Sequence, residues 1–143
     1  GHATDDALRS LRAGARDGVT VVAVPPGGLD QVDGPIDVLF VGRCGRYSTA
    51  VEALERWGAR VVPGGTLFIH GAFAAPPLTG ALLRTVGSSP AWRYFGRDEE
   101  LAEYTRAQLT TGERVLDAVA QVAQLPAFAR SLARRRAQRL RSR

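Results

Sequence analysis

The sequence predicts an α/β fold organised around a βαβ unit that spans residues 35–73. Two short apolar runs, residues 36–41 and 66–69, have the length of buried strands. The stretch between them carries Val51 and Leu54 at helical spacing, so a helix connects the two strands. Such a crossover is right-handed in nearly all proteins, and we therefore expect parallel neighbouring strands with the helix on one face.

The residues before this unit predict one more helix and one more strand. Thr4-Asp5-Asp6 can cap a helix that ends near Gly14. Residues 19–24 form a β-branched run that stops at Pro25-Pro26, which is typical of a buried strand followed by a loop.

The residues after the unit predict a short helix and a hairpin. A turn at Pro63-Gly64-Gly65 leads into the second strand of the unit. The helix covers residues 78–86, with Leu82, Leu83 and Val86 on its inner side. Residues 91–97 and 101–106 then alternate as two strands around a glycine-containing turn, which indicates an antiparallel hairpin.

The C-terminal region predicts two amphipathic helices. The first begins at residues 110–113 and carries four apolar residues at helical spacing: Val115, Leu116, Val119 and Val122. Pro126 interrupts it. A second helix follows, with an apolar stripe that we expect to pack on the domain: Leu125, Phe128, Leu132 and Leu140. We divide the chain into an α/β domain, residues 1–109, and a helical extension, residues 110–143.

Composition and charge exclude several classes of protein. With 143 residues, 45% of them hydrophobic and 23% charged, the chain can build one sizeable core and is not of the disordered type. No run of 18 apolar residues predicts a membrane span. A single cysteine, Cys44, excludes an intrachain disulfide framework. We therefore expect a cytoplasmic protein.

An ordered series of motifs resembles a known enzyme family. The series comprises P-I-D-V-L-F-V (35–41), Tyr47, Trp57, V-V-P-G-G-T-L-F-I-H (61–70), W-R-Y-F-G-R (92–97), L-A-E-Y (101–104) and A-Q-L-P-A-F-A-R (123–130). It is similar to the second half of a class I S-adenosylmethionine-dependent methyltransferase, of the branch grouped with macrocin O-methyltransferases and cephalosporin hydroxylases. The resemblance implies a Rossmann-like sheet that ends with one antiparallel strand, S-adenosylmethionine as cofactor, and a small molecule that accepts a methyl group on oxygen or nitrogen.

The cofactor half of that fold is missing from the sequence. In the family, a glycine-rich turn after the first strand lets backbone N–H groups approach the cofactor closely. No strand with such a turn precedes residue 19, and no helix start follows Gly27-Gly28. We expect an incomplete sheet that does not bind S-adenosylmethionine by itself. The cofactor-binding residues therefore stay unassigned.

The acidic positions of the family are also replaced in this chain. Gly42-Arg43-Cys44-Gly45 stands where the family has Asp-Gly-Asp-His, and His70-Gly71 stands where it has His-Asp. Related O-methyltransferases bind a divalent cation through carboxylates at these strand ends, and hard cations require oxygen ligands. We therefore predict that the chain has no metal site.

Three kinds of side chain remain candidates for chemistry. His70 is the candidate catalytic base, because imidazole titrates near neutral pH; a structural histidine is the alternative. Cys44, beside Arg43, is either a reactive thiol or an inert one. Trp92 and Tyr94 either line a substrate cleft or belong to the core.

These observations leave three functions open. The leading hypothesis is a methyltransferase family member that is partial or inactive alone. A non-catalytic module that pairs with another chain, which would supply the missing half of the fold, is the second. The third is a basic helix that binds nucleic acid or an anionic membrane, since residues 126–143 hold seven arginines and no acids. For these arginines we favour a solvated helix face.

Overall fold

A computed structural model of the chain describes residues 34–42, 44–98 and 101–124, together with positions 126, 129 and 133. Several predicted features lie outside these residues: the helix at 5–14, the strand at 19–24, Arg43, and the C-terminal stripe of Leu125, Phe128, Leu132 and Leu140.

The described part is a mixed α/β structure with a four-stranded mixed sheet and three helices. Its elements in chain order are β1 (Ile36–Val41), α1 (Tyr47–Glu52), β2 (Val61–His70), α2 (Pro76–Leu82), β3 (Trp92–Asp98), β4 (Leu101–Arg106) and α3 (Thr111–Val122). Two helices continue in irregular form: α1 through a π-helical stretch, Ala53–Trp57, and a 3₁₀ turn, Gly58–Arg60, and α2 through a π-helical stretch, Leu83–Gly87.

The strand order in the sheet is β1-β2-β4-β3. β1 and β2 are parallel, with Val41 opposite Ile69, so the predicted βαβ unit is confirmed. β4 runs antiparallel to both of its neighbours, β2 and β3. The predicted hairpin is therefore also confirmed, and β4 is the single antiparallel strand among three parallel ones in the described sheet.

The turn predicted at Pro63-Gly64-Gly65 is instead part of β2. The register between β1 and β2 shifts here, because Ile36 pairs with Val61 whereas Val38 pairs with Thr66. The extra residues of β2 form a bulge, which accommodates the left-handed backbone of Gly64 at φ +81°. β2 is consequently longer than the apolar run at 66–69.

The core lies on one face of the sheet. Leu67, Ile69 and Tyr104 are buried on this face, and α1 and α2 supply further buried side chains to the same cluster: Ala50, Leu54, Leu78, Leu82 and Val86. Leu83 is exposed, so its predicted inward position is wrong. The π-helical continuation that starts at this residue changes the order in which side chains face the core.

The prediction of a buried strand at 36–41 is correct for only one side of β1. Val41 is buried, whereas Val38 and Phe40, on the opposite face of the strand, are 60% and 61% exposed. β1 is the outermost strand on its side of the described sheet, and its second face is not part of the core cluster. Apolar composition indicated burial here, but it does not specify what covers each face.

Polar contacts attach α3 to the sheet. The Tyr104 hydroxyl donates to Gln121 Oε1 at 3.1 Å, and Gln121 Nε2 donates to Asp117 Oδ2 at 2.7 Å. The other carboxylate oxygen of Asp117 accepts from the backbone N–H of Tyr94 on β3. Glu113 forms an ion pair with Arg93. Because β3 is an edge strand of the described sheet, Asp117 of α3 satisfies a backbone group, the Tyr94 N–H, that would otherwise be open to pairing.

The predicted start of α3 is confirmed as a capping box. The Thr110 hydroxyl accepts from Glu113 N–H, and the Glu113 carboxylate accepts from both the backbone N–H and the hydroxyl of Thr110. These hydrogen bonds, with a further contribution from Arg93, hold the pKa of Glu113 below its ordinary value.

This pKa shift predicts a pH-dependent stability. A carboxylate with a lowered folded-state pKa stabilises the protein above its unfolded-state pKa, roughly 4.3, and that contribution is lost as the pH falls through the folded-state pKa. We expect Glu113→Gln to melt below the parent at pH 7 and the difference to shrink at acidic pH. Thermal melts from pH 7 to pH 3 measure this. Thr110→Ala removes one donor to the carboxylate and the acceptor of the Glu113 N–H, but the backbone N–H of residue 110 still donates, so part of the pH dependence should remain. A Glu113→Gln difference independent of pH would contradict the assignment.

Candidate functional site

The carboxyl ends of β1 and β2 lie side by side at one edge of the sheet. The two strands are parallel, and the pairing of Val41 with Ile69 places Gly42 and His70 immediately beyond the last residue pair. In open α/β sheets, ligands bind beyond the carboxyl ends of the strands. This edge is therefore the candidate site, and it contains the described residues 42, 44–45 and 70–75.

The β1 side of the site contributes little reactive chemistry. Gly42 is exposed, and a Cβ atom added at this position would meet no atom within 4 Å. The Cys44 thiol is half-buried and donates weakly to the Gly42 carbonyl at 3.7 Å. Burial raises the pKa of Cys44, which keeps the thiol protonated at neutral pH. A reactive thiol requires a lowered pKa, so the geometry favours the inert interpretation of Cys44.

The β2 side ends in a tight turn that follows His70. His70 is half-buried and is the last residue of β2, opposite Leu101 of β4. Gly71 has a left-handed backbone, φ +80°, and its carbonyl accepts from the N–H groups of Ala74 and Ala75 at 3.1 and 3.2 Å. The turn thus favours glycine at the position where the resembled family has an acid.

The turn is attached to the start of α2. The Thr79 hydroxyl donates to the Ala72 carbonyl at 2.6 Å and lies 3.0 Å from the Ala75 carbonyl. Ala72 and Phe73 are buried, and the Phe73 ring packs edge-to-face on Tyr94. His70 therefore projects from a strand end whose following backbone is held by packing and hydrogen bonds.

A tyrosine–arginine pair joins the two helices that follow the candidate strands. Arg84 Nη1 donates to the Tyr47 hydroxyl at 3.4 Å, and the Tyr47 ring lies against Gly80. Tyr47 is one of the motif residues of the sequence, whereas no sequence pattern indicated Arg84 or Gly80. The pair is separated by 37 positions in the chain. No short-range spacing could have indicated it.

Two of the three aromatic residues of β3, Trp92 and Tyr94, pack in or against the core. Trp92 is buried, and the Arg106 guanidinium lies over its ring at 5.1 Å from the centroid. Tyr94 packs on both Phe73 and Tyr104. Of the two interpretations that the sequence left open, the structure supports core packing and not a substrate cleft.

The described residues do not form a metal site. Within the described ranges, no group of three His, Cys, Asp or Glu side chains is placed to hold a metal ion. At the two strand ends, Gly42 and Gly71 supply no side-chain oxygen.

We accordingly expect magnesium to leave the melting temperature of the chain unchanged. A cation that binds the native state raises stability by mass action, so thermal melts with and without millimolar magnesium test the prediction. Calcium, which also prefers oxygen ligands, serves as a second probe in the same series. A reproducible, concentration-dependent rise with magnesium alone would contradict the assignment.

Within the described ranges, no helix has the length and apolar character required to cross a bilayer.

The sequence matches neither a protein-family model nor a curated protein.

Proposed function

We propose that this chain is a member of the class I S-adenosylmethionine-dependent methyltransferase family, and that the described residues form the part of that fold that does not carry the cofactor turn. The observation that carries the proposal is the strand order β1-β2-β4-β3, with β4 as the single antiparallel strand of the described sheet. The resemblance implies a parallel sheet that finishes with one antiparallel strand; here that strand, β4, is next to last, between β2 and the edge strand β3.

The motifs of the resemblance coincide with the strands of the sheet. P-I-D-V-L-F-V leads into and forms β1, and V-V-P-G-G-T-L-F-I-H is β2 from its first residue to its last. W-R-Y-F-G-R begins β3, and L-A-E-Y begins β4. A chance similarity of short motifs would not be expected to place each one on its own strand in the same order. This agreement supports the proposal.

The exposed apolar side chains of β1 also support the methyltransferase proposal. Val38 and Phe40 are exposed on this strand, next to the position where the family has the strands that bind the cofactor. When a parallel sheet is complete, other elements of the fold commonly cover the apolar side chains of a strand such as β1. In the proposed fold these two side chains would pack against the cofactor half.

The described residues do not fit the cofactor itself. The glycines between β1 and α1, Gly42 and Gly45, occupy the position of the family's acidic motif and not that of its glycine-rich turn. We therefore assign no contact with the cofactor to these residues. His70 is the candidate general base toward an acceptor hydroxyl, because it is the titratable side chain at the end of β2.

Calorimetric titration tests the proposal in two stages. The first uses the 143-residue chain and S-adenosylmethionine, and the expected result is no binding at ligand concentrations up to about 1 mM. The second uses the chain extended by any residues that its gene encodes upstream of Gly1. Binding with a micromolar dissociation constant by the extended chain supports the proposal.

Two outcomes of these titrations would overturn parts of the methyltransferase proposal. Micromolar binding by the 143-residue chain would mean that a cofactor turn lies within the sequence as printed. An upstream region with no strand and glycine-rich turn, or an extended chain that fails to bind, would remove the methyltransferase assignment itself.

A non-catalytic pairing module is a second candidate function, and the exposure of Val38 and Phe40 is the observation that favours it. Such a module would bury this strand against a partner chain. Phe40→Ser should then weaken the partner complex while leaving the melting temperature of the isolated chain unchanged.

A further inference from the structure

Helix α3 is held against the described domain by polar side chains. Nine of its twelve residues are exposed, and the three that are not, Glu113, Asp117 and Gln121, recur every four positions on one side. The aliphatic side chains of the helix are 59–72% exposed: Val115, Leu116, Val119 and Val122. Burial of an apolar face is what usually holds a surface helix in place, so α3 lacks the usual source of docking energy.

The polar contacts of α3 can largely be replaced by contacts with water. The side chains of the Arg93–Glu113 ion pair are 49% and 41% exposed, and exposed ion pairs contribute little to stability. The Arg114 guanidinium reaches the Ser88 carbonyl at only 3.5 Å. A hydrogen bond that water can replace contributes a small net free energy. We therefore expect the docked position of α3 to be held by a small margin.

The chain just before α3 is fixed by backbone hydrogen bonds. The Ala107 and Leu109 N–H groups donate to the carbonyls of Ala91 and Pro90 at 3.0 and 2.7 Å. The capping box that follows at Thr110 lies within the helix and does not attach it to the sheet. A helix that left the sheet would therefore remain tethered at residues 109–110.

We propose that α3 is a releasable cover of the β3 edge, which moves away from the domain about residues 109–110 while the four-stranded sheet stays folded. In the docked state the Asp117 carboxylate takes the place of a neighbouring strand, because it accepts from the Tyr94 N–H. On release this donor becomes available to the backbone of another extended segment. The position of α3 thereby controls access to this edge.

The contact between Gln121 and Tyr104 keeps the docked state the more populated one. Tyr104 is fully buried and donates to Gln121 Oε1, and Gln121 itself is 3% exposed. A Cβ atom at residue 87 would lie 2.6 Å from the same Oε1, so the amide fits closely against Gly87. A hydrogen bond in such a buried place is stronger than one exposed to water. Gln121 therefore sets how often α3 is released.

Amide hydrogen exchange of the 143-residue chain, followed residue by residue by NMR, tests the proposal. A released helix of this length unwinds readily in water. The α3 amides should exchange at least about a hundredfold faster than those of β2, without the urea dependence of global unfolding. The Tyr94 N–H should exchange at the rate of α3 and not at that of the sheet, because its acceptor leaves with the helix.

Gln121→Ala should increase the exchange rates of the α3 amides and of the Tyr94 N–H by the same factor, about tenfold. The substitution removes the hydrogen bonds of Gln121 to Tyr104 and Asp117. Leu116→Gln is the matched control: Leu116 is 72% exposed on the outer side of α3, and leucine and glutamine have similar helix propensities. This variant should exchange as the parent does.

Each of four other results would overturn the proposal. If the α3 amides exchange as slowly as those of β2, with the same urea dependence, the helix and the sheet unfold as one unit. If α3 exchanges quickly but the Tyr94 N–H follows the sheet, the helix frays without opening the edge. Unprotected α3 amides would show that the docked helix does not form. Faster exchange in Leu116→Gln would show that the outer side of α3 contributes to docking.

Discussion

Replacing Phe73 by alanine is expected to lower the free energy of unfolding by about 3–5 kcal/mol. Phe73 is 2% exposed and lies in the turn that follows β2, where its ring packs edge-to-face on Tyr94 with a centroid distance of 6.3 Å. The substitution removes apolar contacts and leaves a cavity between the turn and β3. Because the same turn carries the backbone just beyond His70, the candidate site would lose rigidity together with the core.

Phe95→Ala is the matched control for this prediction. Phe95 is 73% exposed on β3, so the same chemical change should alter stability by no more than about 0.5 kcal/mol. Urea denaturation of both variants, followed by tryptophan fluorescence, gives the two free energies. Equal losses for Phe73→Ala and Phe95→Ala would show that the turn after β2 does not pack as described.

Gly65→Ala is expected to destabilise the protein by about 1–3 kcal/mol. A Cβ atom at residue 65 would lie 2.7 Å from Val61 Cγ1 and 2.9 Å from the carbonyl oxygens of Asp37 and Val62. Two of these three atoms are backbone, one on β1 and one on β2. A rotamer change cannot relieve those contacts, so the bulge between the parallel strands would have to widen.

Gly42→Ala is the control, because we expect it to leave the stability of the protein unchanged or to raise it. A Cβ atom at residue 42 meets nothing within 4 Å, and its backbone is not left-handed. Alanine there should be neutral or stabilise by about 0.4–1 kcal/mol, because it restricts the unfolded chain. Urea denaturation of the two alanine variants separates the effects. A Gly65→Ala variant as stable as Gly42→Ala would be inconsistent with the close approach of β1 and β2.

Local pattern was sufficient to predict several elements. Short apolar runs separated by a helical pattern indicated the βαβ unit, and Thr110 with Glu113 indicated the start of α3; both are confirmed. Each of these signals is contained in one short continuous stretch of the sequence, so it can be recognised without knowing what the stretch contacts. The glycines at 42 and 71 likewise exclude carboxylate ligands at those positions by residue type alone, because glycine has no side chain.

The contacts between distant segments required the tertiary structure. Tyr47 and Arg84 meet because α1 and α2 pack together, and Trp92 is buried where its ring meets Gly58 and the Arg106 guanidinium. Helical spacing marked Val115, Leu116, Val119 and Val122 as one stripe but did not specify its direction. That direction is set by partners far along the chain, the Tyr104 hydroxyl and the Tyr94 N–H, which hold the polar side of α3 against the sheet. Periodicity identifies which side chains share a face, whereas burial of that face depends on what the fold brings opposite it.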